Sequence, residues 1–213
     1  MILERTIAVV VLATGMMLRG VVVAASPPEV VATPEAAAVK PELQTRKLFG
    51  VAPWKQAELR PEHAVLARFV GHWTASVHLF EGPYVRLRDT EGTADGKLLM
   101  GGLFVQVTHA QKRMKQSFDG MMLYGFDEVV RKYTSDWIDD TSTAIIHYVG
   151  TYDAAKKQLN MSSHYSDQKS QRLTIARTLT TFVDEKTWTY DEYISHGVGE
   201  AEAQVVSITF KRP

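Results

Sequence analysis

The sequence predicts an all-β domain, an up-and-down antiparallel meander of about ten strands closed into a barrel and entered through one short helix. Three observations predict it. From Trp73 onward, apolar and polar residues alternate with the period of two that a half-buried strand requires. The alternating runs are joined by short polar turns that repeat one chemistry. No gap before the C-terminus is long enough for a crossover helix, which excludes a parallel sheet.

The helix comes first. Pro61 stands at a first-turn position, and Leu66 and Phe69 lie three apart, which suits one or two helical turns over Pro61 to Phe69. The period then changes. Trp73, Ala75, Val77 and Leu79 fall on one face, with Thr74, Ser76 and His78 on the other. Similar runs follow near 90–100, 103–110, 116–126, 131–139, 143–152, 157–165, 171–182, 187–195 and 203–212. Between several of them an Asp ends a strand and a Lys or Arg follows within a few residues: Asp127 before Arg131-Lys132, Asp153 before Lys156-Lys157, and Asp184 before Lys186. An Asp that caps its own tight turn is hairpin chemistry. A meander left open would expose two strand edges, so pairing of the first and last strands is expected.

Residues 61–213 are therefore read as the barrel domain. The first 25 residues differ from it. A short polar start is followed by the apolar run Thr6 to Leu18, and Val23-Ala24-Ala25 places small residues where a signal peptidase reads, so residues 1–25 are expected to be a signal peptide cut after Ala25. Export to the periplasm or medium of a bacterium follows from it. The alternative is an uncleaved membrane anchor, against which Arg19 interrupts the apolar run. After cleavage no stable membrane insertion is expected. Residues 26–60 form a Pro- and Ala-rich linker with an N-terminal extension, since Ser26 to Glu42 carries four prolines and no periodicity to bury.

Composition excludes several functions. Lys plus Arg equals Asp plus Glu at 24 each, and the basic residues are scattered, so nucleic acid is not an expected partner. With no cysteine there is neither a thiolate nucleophile nor an acylated lipoprotein anchor. The seven histidines form no His-x-His or His-x-x-x-His pair, and neither a metal nor a cofactor is expected, although His109, His147 and Asp139 could in principle meet across strands. No catalytic triad motif is present, and oligomeric state is not legible.

Candidate binding residues come from strand faces. Arg177 shares a face with Leu173, Ile175 and Leu179, which predicts an inward guanidinium that must meet a carboxylate such as Asp139 or Asp191, water, or the anionic head of a ligand. Tyr133, Ser135, Trp137 and Asp139 share a second face, and Met122 and Tyr124 lie on the strand before it, giving aromatic walls with a carboxylate near the rim. Gly71, Trp73 and Arg212 are structural candidates, because in a closed barrel a C-terminal cation can lie across the Trp73 indole.

From Pro61 to Arg212 the chain also resembles a bacterial family, domain-of-unknown-function family 1579. The resemblance rests on Pro61-Glu62-His63 with Leu66, Gly71-His72-Trp73, and Gly92-Thr93-Ala94 leading to Leu99-Met100-Gly101-Gly102-Leu103-Phe104. Further on it rests on Gly125-Phe126-Asp127 with Tyr133, Trp137-Ile138-Asp139 before Ser142-Thr143, Gly150-Thr151-Tyr152-Asp153, and Arg177. Phe126 stands where the family usually has Tyr, and Thr178 where an acidic residue is common. The resemblance implies a lipocalin-like, or calycin-like, barrel and, by wider analogy, a small hydrophobic or amphipathic ligand as partner. Two rival readings stand beside it: a filled structural barrel of the cell envelope, and an enzyme using Asp139 or a histidine at the barrel mouth as general acid or base.

Overall fold

The computed structural model describes residues 55–81, 85–113, 116–167, 172–197 and 199–213, without the side chains of 112, 113 and 116. The expected signal peptide, and all of the expected linker and extension before residue 55, lie outside these residues. Helix α1 (His63–Leu66) runs into a 3-10 turn (Ala67–Phe69), and ten strands follow: β1 (Gly71–Phe80), β2 (Arg86–Leu99), β3 (Phe104–Arg113), β4 (Gln116–Asp127) and β5 (Lys132–Asp139), then β6 (Ile146–Asp153), β7 (Gln158–Asp167), β8 (Arg172–Phe182), β9 (Thr187–Ser195) and β10 (Ala203–Lys211). Each strand pairs antiparallel with its sequence neighbours, and β10 returns to β1 with Thr74 opposite Lys211 and Leu79 opposite Val206. The barrel is closed, so every described strand has two partners and no edge is left exposed.

The turns at one end are set by aspartates. Asp127 Oδ1 accepts the backbone N–H groups of Val129 and Val130 at 2.8 and 3.2 Å, and Asp153 Oδ1 those of Ala155 and Lys156 at 3.0 and 3.1 Å. The basic residues that follow have a second job: Arg131 and Lys157 take positive φ values of 53° and 54° and turn the chain into the next strand.

That same end is plugged by the helix. Leu66 and Phe69 are fully buried, and Phe69 stacks on Tyr124 at 4.4 Å between centroids while meeting Phe182 and Trp188 edge-on. The plug sits close because Gly96 carries no side chain; a Cβ there would collide with the Phe69 carbonyl oxygen. The carbonyl is instead free to accept the Trp73 Nε1–H at 2.9 Å. Arg212 spans the outside of the plug, with its guanidinium 4.4 Å from the Trp73 ring centroid and an N–H donated to the Val70 carbonyl at 2.9 Å.

In an up-and-down barrel, alternate connections lie at the same end. Those joining β1 to β2, β3 to β4, β5 to β6, β7 to β8 and β9 to β10 are therefore opposite the plug, at what we term the mouth.

Candidate functional site

The interior is filled at the plugged end and hollow toward the mouth. A cavity of about 70 Å³ lies among Val77, Leu79, Met122, Ile146, Val206 and Ile208, a ring of aromatic side chains, and four polar residues: His109, Gln111, Tyr190 and Glu192. At roughly 10–15 Å³ per water, this is room for a few waters or a compact organic group. Two stacked pairs wall it, Trp188 with Phe210 at 3.6 Å and Phe118 with Trp137 at 6.3 Å between centroids. Tyr148 and Tyr124 complete the ring. Strand alternation places all of them, because each wall residue lies on the inward-facing parity of its strand.

Glu192 is the chemically distinctive member. It sits on β9 between Tyr190 and Ile194, opposite Thr178 of β8, and is 8% exposed. Across the barrel, Tyr148 donates its hydroxyl to Glu192 Oε1 at 3.1 Å, and no second hydrogen bond to this carboxylate is found among the described residues. Burial drives the Glu192 carboxyl up to about 7; the Tyr148 hydrogen bond opposes the shift and the charge of Asp139 adds to it. The Tyr148 and Tyr190 phenols are held well above their usual range, first by burial and then by the nearby Glu192 charge. Burial also lowers His109 to about 4, so its ring is neutral at pH 7; it meets Trp137 and Phe210 edge-on at 5.5 and 5.7 Å. The indole N–H of Trp188 and the hydroxyl of Ser163 are buried with no hydrogen-bond partner among the described residues.

Several residues selected from strand faces line this cavity, and others lie elsewhere. Met122, Tyr124 and Trp137 are wall residues. Trp137 fits because Gly120 on β4 is bare, and a Cβ there would overlap the indole. Asp139 lies at the mouth, where Oδ2 accepts the Trp137 Nε1–H at 2.7 Å and Oδ1 accepts the Thr141 backbone N–H and hydroxyl at 2.8 and 2.6 Å. Tyr133 faces inward at the opposite end, where its hydroxyl donates to the Glu62 carbonyl at 3.0 Å, so it belongs to the plug and not to the cavity. Burial, then the charges of Glu62 and Tyr152, push this phenol up to about 12.

The inward Arg177 is corrected. The buried face of β8 is Thr174, Ala176, Thr178, Thr180 and Phe182, and Arg177 points outward. There it forms a two-pronged pair with Glu202, the guanidinium Nε and Nη2 donating to Oε2 at 2.9 and 2.7 Å, and lies 4.3 Å from the Tyr193 ring centroid. Asp191, offered as its partner, accepts instead from Gln204 at 2.9 Å. The register follows the largest side chain: Phe182 must enter the core opposite Trp188, and parity then carries the threonines in and Arg177 out. His109 and His147 are separated for the same reason, since His147 is exposed on the outer face and paired with Asp136 at 2.7 Å.

Glu192, Tyr148 and Tyr190 were missed by sequence reasoning. A signal for Glu192 exists, because Trp188, Tyr190, Glu192 and Ile194 share one parity. An acidic residue in that company is either buried or marks a slipped register.

A closed up-and-down barrel with an aromatic cavity defines the class, a lipocalin-like barrel protein. The chain belongs to the family described as "Protein of unknown function (DUF1579)", whose model matches residues 58–212. No curated protein matches the sequence. Among solved structures it is similar to the S-type phycobiliprotein lyase CPES from Guillardia theta, with a TM-score of 0.48 and 9% identity over 71% of this chain and 92% of that one. A likeness of that extent concerns the course of the chain and carries no argument about function.

Proposed function

We propose that this protein is an exported carrier or receptor that holds a small hydrophobic or amphipathic molecule in the mouth-side cavity. The observation that supports the reading is the composition of the cavity wall. Apolar and aromatic side chains enclose it, and a few polar groups converge on it, which is the usual make-up of a small-molecule site. A barrel filled only for stability would have no need to bury Glu192 there, because an apolar side chain of similar volume avoids the cost of dehydrating a carboxyl. Export is supported by the apolar run Thr6 to Leu18 and the small residues Val23-Ala24-Ala25.

The test is native mass spectrometry of the protein purified from its own host under gentle conditions. A copurified small molecule, displaced by an apolar fluorescent probe, is the expected result. Absence of both a bound mass and any probe binding would overturn the reading. The mass of the mature chain from the same preparation reports on export, for which Ser26 is the expected first residue.

A further inference from the structure

We propose that the cavity selects a ligand with a compact cationic head, an alkylammonium group seated between the Glu192 carboxylate and the surrounding aromatic faces. The inference rests on the small-molecule reading above and narrows it to a chemical class. Three observations carry it. Among the described residues, the cavity wall contains one carboxylate and no Lys or Arg. One oxygen of that carboxylate is engaged by Tyr148, and no hydrogen bond to the other is found among the described residues. The rings of Trp137, Phe118, Tyr148 and Tyr190 line the same space, and aromatic faces are electron-rich, so carboxylate and rings favour the same sign of charge.

An anionic head is disfavoured by the same arrangement. Arg177, the cation expected inside, is outside and paired with Glu202. The one basic side chain in the wall among the described residues, His109, is uncharged at pH 7 because burial lowers it to about 4. The groups that act on Glu192 are acidic or neutral: Tyr148, Tyr190 and Tyr165 carry phenols, and Asp139 at the mouth adds a second negative charge. A cation entering the cavity therefore relieves an unfavourable field. It also draws the proton from Glu192, whose carboxyl is pushed up to about 7 in the empty barrel.

Tetramethylammonium and tert-butanol form a suitable probe pair, with the same number of heavy atoms and nearly the same shape but different charge. Binding of each to the full protein is followed by the fluorescence of the cavity tryptophans, with sodium chloride as the ionic-strength control. Tetramethylammonium is expected to bind about ten-fold more tightly than tert-butanol at pH 8, a discrimination of the size expected when one charge meets a desolvated partner. That preference should fade as pH falls through about 7, where Glu192 takes up its proton. It should also vanish in Glu192→Gln. The wild-type pH profile needs no substitution, so a variant that fails to fold does not protect the idea. Equal binding of both probes, insensitive to pH and to Glu192→Gln, would overturn cation selection and leave small-molecule binding intact. Binding of neither probe would also overturn it, and the copurification experiment then decides separately whether the barrel holds a ligand at all.

Discussion

Glu192 and His109 titrate in opposite senses, and the consequence for stability follows from proton counting. The ordinary Glu value of 4.5 rises to about 7 in the barrel, so between these limits the folded chain holds a proton that the unfolded chain has lost. Stability therefore falls as pH rises through that window, by about 3 kcal/mol in all. His109 drops from 6.5 to about 4, so the folded chain lacks a proton that the unfolded chain binds, and stability falls as pH is lowered through that window by a similar amount. Between 4.5 and 6.5 the two slopes cancel. Urea denaturation across pH should separate them. Relative to wild type, Glu192→Gln should gain about 3 kcal/mol as pH rises from 4.5 to 7, and His109→Gln should gain a comparable amount as pH falls from 6.5 to 4. Differences that stay constant with pH would show that neither group is buried as described. Tyr148→Phe should cost about 1–2 kcal/mol at pH 8, because a buried carboxylate then loses its donor.

Among the elements, the helical plug and the strand glycines that admit it decide the shape of the interior. Gly96→Ala forces a Cβ against the Phe69 carbonyl and should cost about 1–3 kcal/mol by overpacking, whereas Phe69→Ala removes a stacked ring and should cost about 3–5 kcal/mol. Thermal or chemical denaturation measures both; a neutral Gly96→Ala would mean that the plug is free to shift. Gly120→Ala acts at the other end, where it should displace the Trp137 ring, change its fluorescence and weaken binding of any cavity probe. The strands themselves were legible from alternation: the ten predicted runs match the ten observed, and β5 keeps Tyr133, Ser135 and Trp137 on its inner face. The inner face of β8 was not legible from hydrophobicity. Its outward residues Leu173, Ile175 and Leu179 are more apolar than its inward threonines, and the deciding contact, Phe182 against Trp188, lies in the partner strand. The cavity was only half legible for a related reason. Local periodicity finds each wall, but a hydrogen bond such as Tyr148 to Glu192 spans 44 residues of sequence and two non-adjacent strands.

The molecule as a whole depends on closure, which joins β1 to β10 across almost the full length of the domain. A circular permutant should test how far the connections themselves matter. If the C-terminus is linked to residue 58 and new ends are opened in the Asp184–Lys186 turn, every strand pairing is kept, and the permutant should show native circular dichroism and a cooperative melt. An expanded or non-cooperative product would mean that the Asp184 turn, where the Lys186 N–H is held at 2.7 Å, guides the pairing of β8 with β9. An even number of antiparallel strands has one further effect. β1 starts and β10 finishes at the plugged end, so the domain is entered and left on the same side. Anything that holds the described domain by residue 58 or by its C-terminus therefore meets it at the plug, and the connections around the mouth lie at the far end.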